Sequence, residues 1–267
     1  MSVHSAEVID RCKANGHSAF VAYLPVGFPD VQTSIDAAKT VVDAGADIVE
    51  LGFPYSDPTM DGAVIQTAAQ MALNNGLHRG DVFRAVEAVA ETGAAVLVMT
   101  YYNPVFRYGV DNFARDLANA GGAGLITPDL IPEEAGEWIT AADKYGLDKV
   151  FLVAQTSRPE RLKLTAEASR GFVYAASRMG VTGVQQAIDN QAQALVERTR
   201  AAGAERVCMG IGVSDHDQAV EVGAYADGVI VGSALVKALL DHLDDGDGLK
   251  HLAATARSIA DGAHTLR

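Results

Sequence analysis

Eight short apolar runs recur along this chain, each separated from the next by a longer amphipathic stretch. They span Ala19–Val26, Asp47–Gly52, Ala95–Tyr102, Gly124–Asp129, Lys149–Gln155, Phe172–Ser177, Arg206–Gly212 and Asp227–Gly232. Each run is nearly continuous instead of alternating, as expected of a strand covered on both faces. Between them, Ile35, Ala38, Val41 and Val42 in Val31–Ala44, and Phe83, Val86, Val89 and Ala90 in Asp81–Glu91, fall at helical spacing. Strands alternating with single helices imply parallel pairing and right-handed crossovers. Eight such units can close on themselves. The expectation is therefore an α/β fold, a single (β/α)8 TIM barrel over residues 1–267 with an extra N-terminal helix. A length of 267 residues suits one such barrel, which needs roughly 250. An open doubly wound sheet is the alternative, disfavoured because no early glycine-rich dinucleotide turn appears.

Charge narrows the partners. The formal net charge of −13 would repel nucleic acid and anionic membrane surfaces alike. It leaves room for a small anionic ligand, because a few backbone amides make a locally positive pocket. The first residues carry no basic segment followed by an apolar stretch, so no signal peptide is expected. No apolar run reaches the roughly 18 residues of a membrane span. The cytoplasm is the expected compartment, and Cys12 and Cys208 are expected there as free thiols.

Two connections are longer than the rest, from Phe53 to about Gly62 and from Arg178 to about Gln185. Both follow the C-terminal ends of strands, where barrel enzymes keep their chemistry. Glu50 lies near the end of the second strand on the same face as Ile48. At the interior mouth of a barrel, partial desolvation would raise its pKa into a range useful for giving and taking protons. A salt-bridged glutamate at the barrel rim is the other reading. Asp57 sits in an Asp-Pro turn signal. Asp61 precedes Gly62 and reads either as a cap for the helix starting near Ala63 or, with Glu50, as half of a two-carboxylate site.

The stretch Val49-Glu-Leu-Gly-Phe-Pro-Tyr-Ser-Asp-Pro-Thr-Met-Asp-Gly62 closely resembles the signature of tryptophan synthase alpha chains. The likeness continues in order through Tyr102-Asn103, Thr127–Glu134, Ser177–Gly183, Gly210–Gly212 and Val231–Ser233, covering essentially the whole chain. It implies a lyase that cleaves indole-3-glycerol phosphate to indole and glyceraldehyde 3-phosphate in tryptophan biosynthesis, with Glu50 and Asp61 as catalytic acids. Glu50 would protonate the indole C3 and take the proton of the glycerol hydroxyl. Asp61 would accept the indole N–H and stabilise the charge building there. Tyr174 matches a family position near the glutamate; it either orients the carboxylate or is an ordinary core tyrosine.

For the phosphate, Gly183, Gly212, Gly232 and Ser233 at the ends of the last three strands suit a backbone cradle at a helix N-terminus. Phe20, Tyr23, Met99, Leu125 and Ile230 are candidates for an apolar wall around the indole, each also explicable as core. Arg178 and Thr182 look like part of the family's loop over the site, with Thr182 bonding Asp61. No metal or organic cofactor is expected in this chain. The family implies a pyridoxal-phosphate-dependent beta subunit in an alpha2beta2 heterotetramer, met through loops that include Pro54, Asp57 and Asn103. Rival readings are a stand-alone lyase on the same substrate, another phosphate-binding barrel, and a non-catalytic activating subunit.

Overall fold

The computed structural model describes residues 2–177 and 185–267. Its strands are β1 (Ala19–Pro25), β2 (Ile48–Gly52), β3 (Ala95–Met99), β4 (Gly124–Ile126), β5 (Asp148–Val150), β6 (Leu152–Ala154), β7 (Val173–Ala176), β8 (Val207–Gly210) and β9 (Gly228–Val231). All pair in parallel, in the order β5-β4-β3-β2-β1-β9-β8-β7-β6. The two ends of this sheet are halves of one stretch of chain, interrupted only at Phe151. Its first half pairs with β4 and its second with β7. That handover joins the sheet's edges, so eight strand positions close into the expected TIM barrel.

Two apolar layers hold the barrel. Inside it, Ala19, Val21, Ile48, Leu97, Ile126, Val150 and Phe172 pack together. Outside, the alternate residues Phe20, Ala22, Val49, Leu51, Val98 and Leu125 pack under the helices. Alternation along each strand produces both layers from one apolar run. The extra helix, Ser5–Ala14, closes the N-terminal end of the barrel by inserting Val8, Ile9 and Cys12 into the interior cluster. Its first turn is anchored on buried Asp148, which accepts from the Ser5 amide at 3.0 Å and the Ser5 hydroxyl at 2.6 Å. A carboxylate at a helix N-terminus satisfies a free amide and complements the helix dipole. Cys12 and Cys208 are both buried and free.

Several strands end sooner than the apolar runs do. β3 stops at Met99 because Tyr102–Tyr108 is already a helix, with Tyr101 at its N-cap. β4 stops at Ile126, and Asp129 beyond it accepts from the Tyr102 amide at 2.9 Å. These early ends leave irregular backbone at the C-terminal mouth, where side chains from neighbouring strands converge. No helix among the described residues is long and apolar enough to cross a membrane.

Candidate active site

Glu50 points into the barrel interior, level in register with Tyr23 of β1 and Leu97 of β3. It is 0% exposed, and neither carboxylate oxygen has a hydrogen-bond partner among the described residues. The rim salt bridge that the sequence left open is therefore not formed with any of the described residues. Burial with no compensating partner pushes its pKa up from 4.5 to about 8. A carboxyl in that state is a proton donor near neutrality and becomes a base once it has given its proton away.

Asp61 stands on the loop after β2 and lines the same cavity as Glu50. The helix-cap role is not taken. Gly62 is the N-cap of helix Ala63–Asn74, with no side-chain cap bond, while the Asp61 carboxylate accepts from the Tyr101 hydroxyl at 3.3 Å. Desolvation raises the Asp61 pKa and the tyrosine bond opposes it. The two carboxyls thus occupy unlike surroundings, one without a hydrogen-bond partner among the described residues and one held by a phenol.

Tyr174 lies on β7, level with Leu152 and Cys208. A β-carbon on Gly210 would fall 2.5 Å from its hydroxyl oxygen, so the glycine leaves the space this tyrosine occupies. Its phenol is held protonated by burial and by the nearby Glu50 charge. It makes no hydrogen bond to Glu50, so any orienting role acts through proximity in this state.

The cavity has a volume of about 510 Å³, within the range of small-ligand sites. Of the candidates for the indole wall, Tyr23, Met99 and Ile230 line it. Phe20 and Leu125 do not. Each lies one residue out of phase with the interior positions on its strand and packs under the helices, so both assignments are corrected to core. Ile65, Leu152 and Met60 add to the apolar wall and were not anticipated. Leu152 was readable from the alternation of its strand. Ile65 and Met60 come from the loop and the helix after it, which no periodicity ties to the barrel.

Gly212, Gly232 and Ser233 line the cavity too. Gly232 is the N-cap of helix Ser233–Leu240, so a helix N-terminus opens on the cavity. No lysine, arginine or histidine is among its described lining residues; the donors these residues offer an anion are backbone amides, hydroxyls and the side-chain amides of Gln155 and Gln191. Gly183, Arg178 and Thr182 lie outside the described residues. No group of three potential metal ligands occurs among the described residues. Of the residues expected to meet a partner, Asp57 and Asn103 are exposed, Asn103 donating to the Tyr55 hydroxyl at 3.1 Å. Pro54 is buried within the chain.

A closed parallel barrel with two carboxyls of contrasting environment at its C-terminal mouth, on one cavity with a glycine-capped helix start, has the architecture of a TIM-barrel enzyme. Within that class the comparisons with known proteins are specific. A family model for the tryptophan synthase alpha chain matches residues 9–264, and the chain belongs to that family. It is 57% identical over 268 residues to the tryptophan synthase alpha chain of Bifidobacterium longum, covering 98% of this chain and 92% of the relative. It is 54% identical over 255 residues to that of Mycobacterium marinum, covering 96% and 93%. A solved structure of Mycobacterium tuberculosis tryptophan synthase superposes with a TM-score of 0.91 at 50% identity, over 99% of each chain. The alpha subunit from Legionella pneumophila keeps a TM-score of 0.90 at 29% identity, covering 98% of this chain and 99% of that one.

Proposed function

We infer that this chain, residues 1–267 acting as one barrel domain, is the lyase that cleaves indole-3-glycerol phosphate to indole and glyceraldehyde 3-phosphate in tryptophan biosynthesis. The observation that carries this reading is a fully buried Glu50 without a hydrogen-bond partner among the described residues, in a cavity that Asp61 also lines.

The chemistry follows from the protonation states. Protonated Glu50 delivers its proton to C3 of the indole ring, giving an indolenine-like cation whose nitrogen carries the charge. Asp61, ionised and held by Tyr101, accepts the indole N–H and stabilises that cation. The carbon–carbon bond to the glycerol chain then breaks. Its electron pair flows back into the ring as neutral indole, while the adjoining hydroxyl becomes the aldehyde and returns its proton to the Glu50 carboxylate. Atoms, charge and protons balance, and the step calls for no cofactor in this chain. Tyr174 bounds the reacting centre. Gly212, Gly232 and Ser233 hold the phosphate at the helix start, while Tyr23, Met99 and Ile230 wall the indole.

Family membership carries a beta-subunit partner with it. The finer features belong to the same proposal: an alpha2beta2 assembly, pyridoxal phosphate in the beta subunit, a cytoplasmic setting, and contacts through Asp57 and Asn103 on the exposed mouth. Indole release from indole-3-glycerol phosphate, assayed with and without a beta subunit, tests the whole reading. Slow turnover alone and faster turnover in the complex are expected. No indole in either case would overturn it.

A further inference from the structure

The loop that carries Asp61 has no regular secondary structure between β2 and helix Ala63–Asn74, yet Asp61 must be held within a fraction of an ångström to meet a substrate N–H. One side chain from another strand supplies much of that restraint. Tyr101, at the end of the β3 run and only 5% exposed, reaches across with its phenol. Its oxygen accepts the backbone N–H of Thr59 at 3.0 Å and of Met60 at 2.9 Å, and its own proton goes to Asp61 Oδ2 at 3.3 Å. A phenolic oxygen offers one donor and a limited set of acceptor positions. Here three consecutive residues, 59 to 61, use them. The ring is backed by Tyr55, centroids 5.4 Å apart, and the Tyr55 hydroxyl in turn accepts from Asn103.

We propose that Tyr101 is a positioning residue for the cleavage reaction, its single hydroxyl both pinning the loop and holding the Asp61 carboxylate ionised toward the cavity. This rests on the reading in which Asp61 meets the indole nitrogen. The two amides that donate to the phenolic oxygen draw electron density from it and strengthen its O–H as a donor to the carboxylate. That bond favours the charged form of Asp61 against the desolvation that opposes it. Among the described residues, the other titratable groups around the carboxylate are Tyr23 from β1, Glu50 from β2 and Tyr174 from β7, and both of those tyrosines feel its charge. None of them has a hydrogen bond to Asp61, so Tyr101 alone among the described side chains holds the carboxylate directly.

The test is steady-state indole release by the full chain in complex with a beta subunit, followed across pH for Tyr101→Phe, Asp61→Asn and the double variant. Loss of a hydroxyl bond to a charged group should lower kcat on the order of tenfold with KM nearly unchanged. The acid limb of the profile should move to higher pH, because Asp61 loses the donor that kept it ionised. In the Asp61→Asn background the same change should lower kcat little further. Tyr145→Phe, which removes a remote hydroxyl bond to Asp111, should leave the profile where it is. A uniform loss at every pH, or effects that simply multiply in the double variant, would reduce Tyr101 to a loop anchor and overturn the proposal. Should Tyr101→Phe not fold, Tyr101→3-fluorotyrosine keeps the shape with a more acidic phenol and should move the acid limb to lower pH. An unmoved limb there overturns the proposal as well. Full turnover by Asp61→Asn alone would instead strike at the cleavage reading itself, a separate result.

Discussion

A β-carbon on Gly52 would lie 2.3 Å from the hydroxyl oxygen of Tyr23, so the end of β2 is bare where the tyrosine of β1 crosses it. The same relation recurs across the barrel, where Gly210 of β8 makes way for Tyr174 of β7. Two phenols are thereby admitted to the mouth beside Glu50 without displacing a strand. The family signature surrounding Gly52 thus has a steric reason independent of the carboxylates.

Gly52→Ala should then be costly although the added group is one methyl. Overpacking a tight core typically costs about 1–3 kcal/mol, and here the alternative is to move Tyr23 out of the cavity. A lower urea midpoint together with reduced indole release is expected. Adding Tyr23→Phe should recover part of the stability but not all, since the ring carbon Cζ would still lie 2.7 Å from the new methyl. A Gly52→Ala variant as stable as the parent would show that this slot has slack the distances deny.

Glu50 fixes the alkaline side of the pH profile. The mechanism needs its carboxyl protonated at the start, and its pKa is raised to about 8 by burial. The rate constant kcat/KM should therefore hold through neutrality and fall as pH rises through about 8. On the acid side, activity should fall as Asp61 protonates, at a pH above the ordinary aspartate range because desolvation raises its pKa. A profile that stays flat through pH ~8 would mean that Glu50 is not the proton donor.

The same burial makes Glu50 a stability liability, and the sign follows from linkage. Its pKa is about 8 in the folded chain against an ordinary 4.5. The folded state therefore binds more protons between those values, and stability is lost as pH rises through that window. Glu50→Gln cannot titrate. It should cut indole release by about a hundredfold or more while gaining stability over the parent as pH increases, on the order of a few kcal/mol by pH 8. Thermal melts of the two proteins at several pH values would check it. A difference in melting temperature that does not change with pH would argue that the carboxyl is less desolvated than its position implies.

Much of this site was legible because strand alternation and the family signature agree. Glu50 shares parity with Ile48, so its inward direction followed from counting. Phe20 and Leu125 were placed in the indole wall by residue type and not by parity, and counting from Val21 and Ile126 would have put them in the outer layer. Tyr101 escaped because its partners, residues 59 to 61, lie about forty positions away, and nothing in the local pattern distinguishes it from its neighbour Tyr102. The run from Lys149 to Gln155 read as one strand; its division at Phe151 depends on which neighbour each half pairs with, a property of barrel closure that no local window contains.

Far from the cavity, His264 tests whether the C-terminal helix is tied to the barrel by charge. It follows helix Gly248–Ala263, and its Nε2 lies 2.8 Å from Asp47 Oδ2, an oxygen that also accepts from the Phe20 amide at 2.8 Å. The His17 ring packs 4.6 Å away, and Asp261 adds a second negative charge. The hydrogen bond to Asp47 raises the imidazole pKa from 6.5, against some desolvation. For a base raised on folding, the stabilisation is complete below the unfolded value of 6.5 and is lost as pH rises through the folded one. His264→Gln should therefore lower the urea midpoint most at pH about 6 and least at pH about 9, with indole release unchanged at either pH while the protein remains folded. An equal loss at both pH values would mean that the ring holds this corner by packing against His17 and not by its charge.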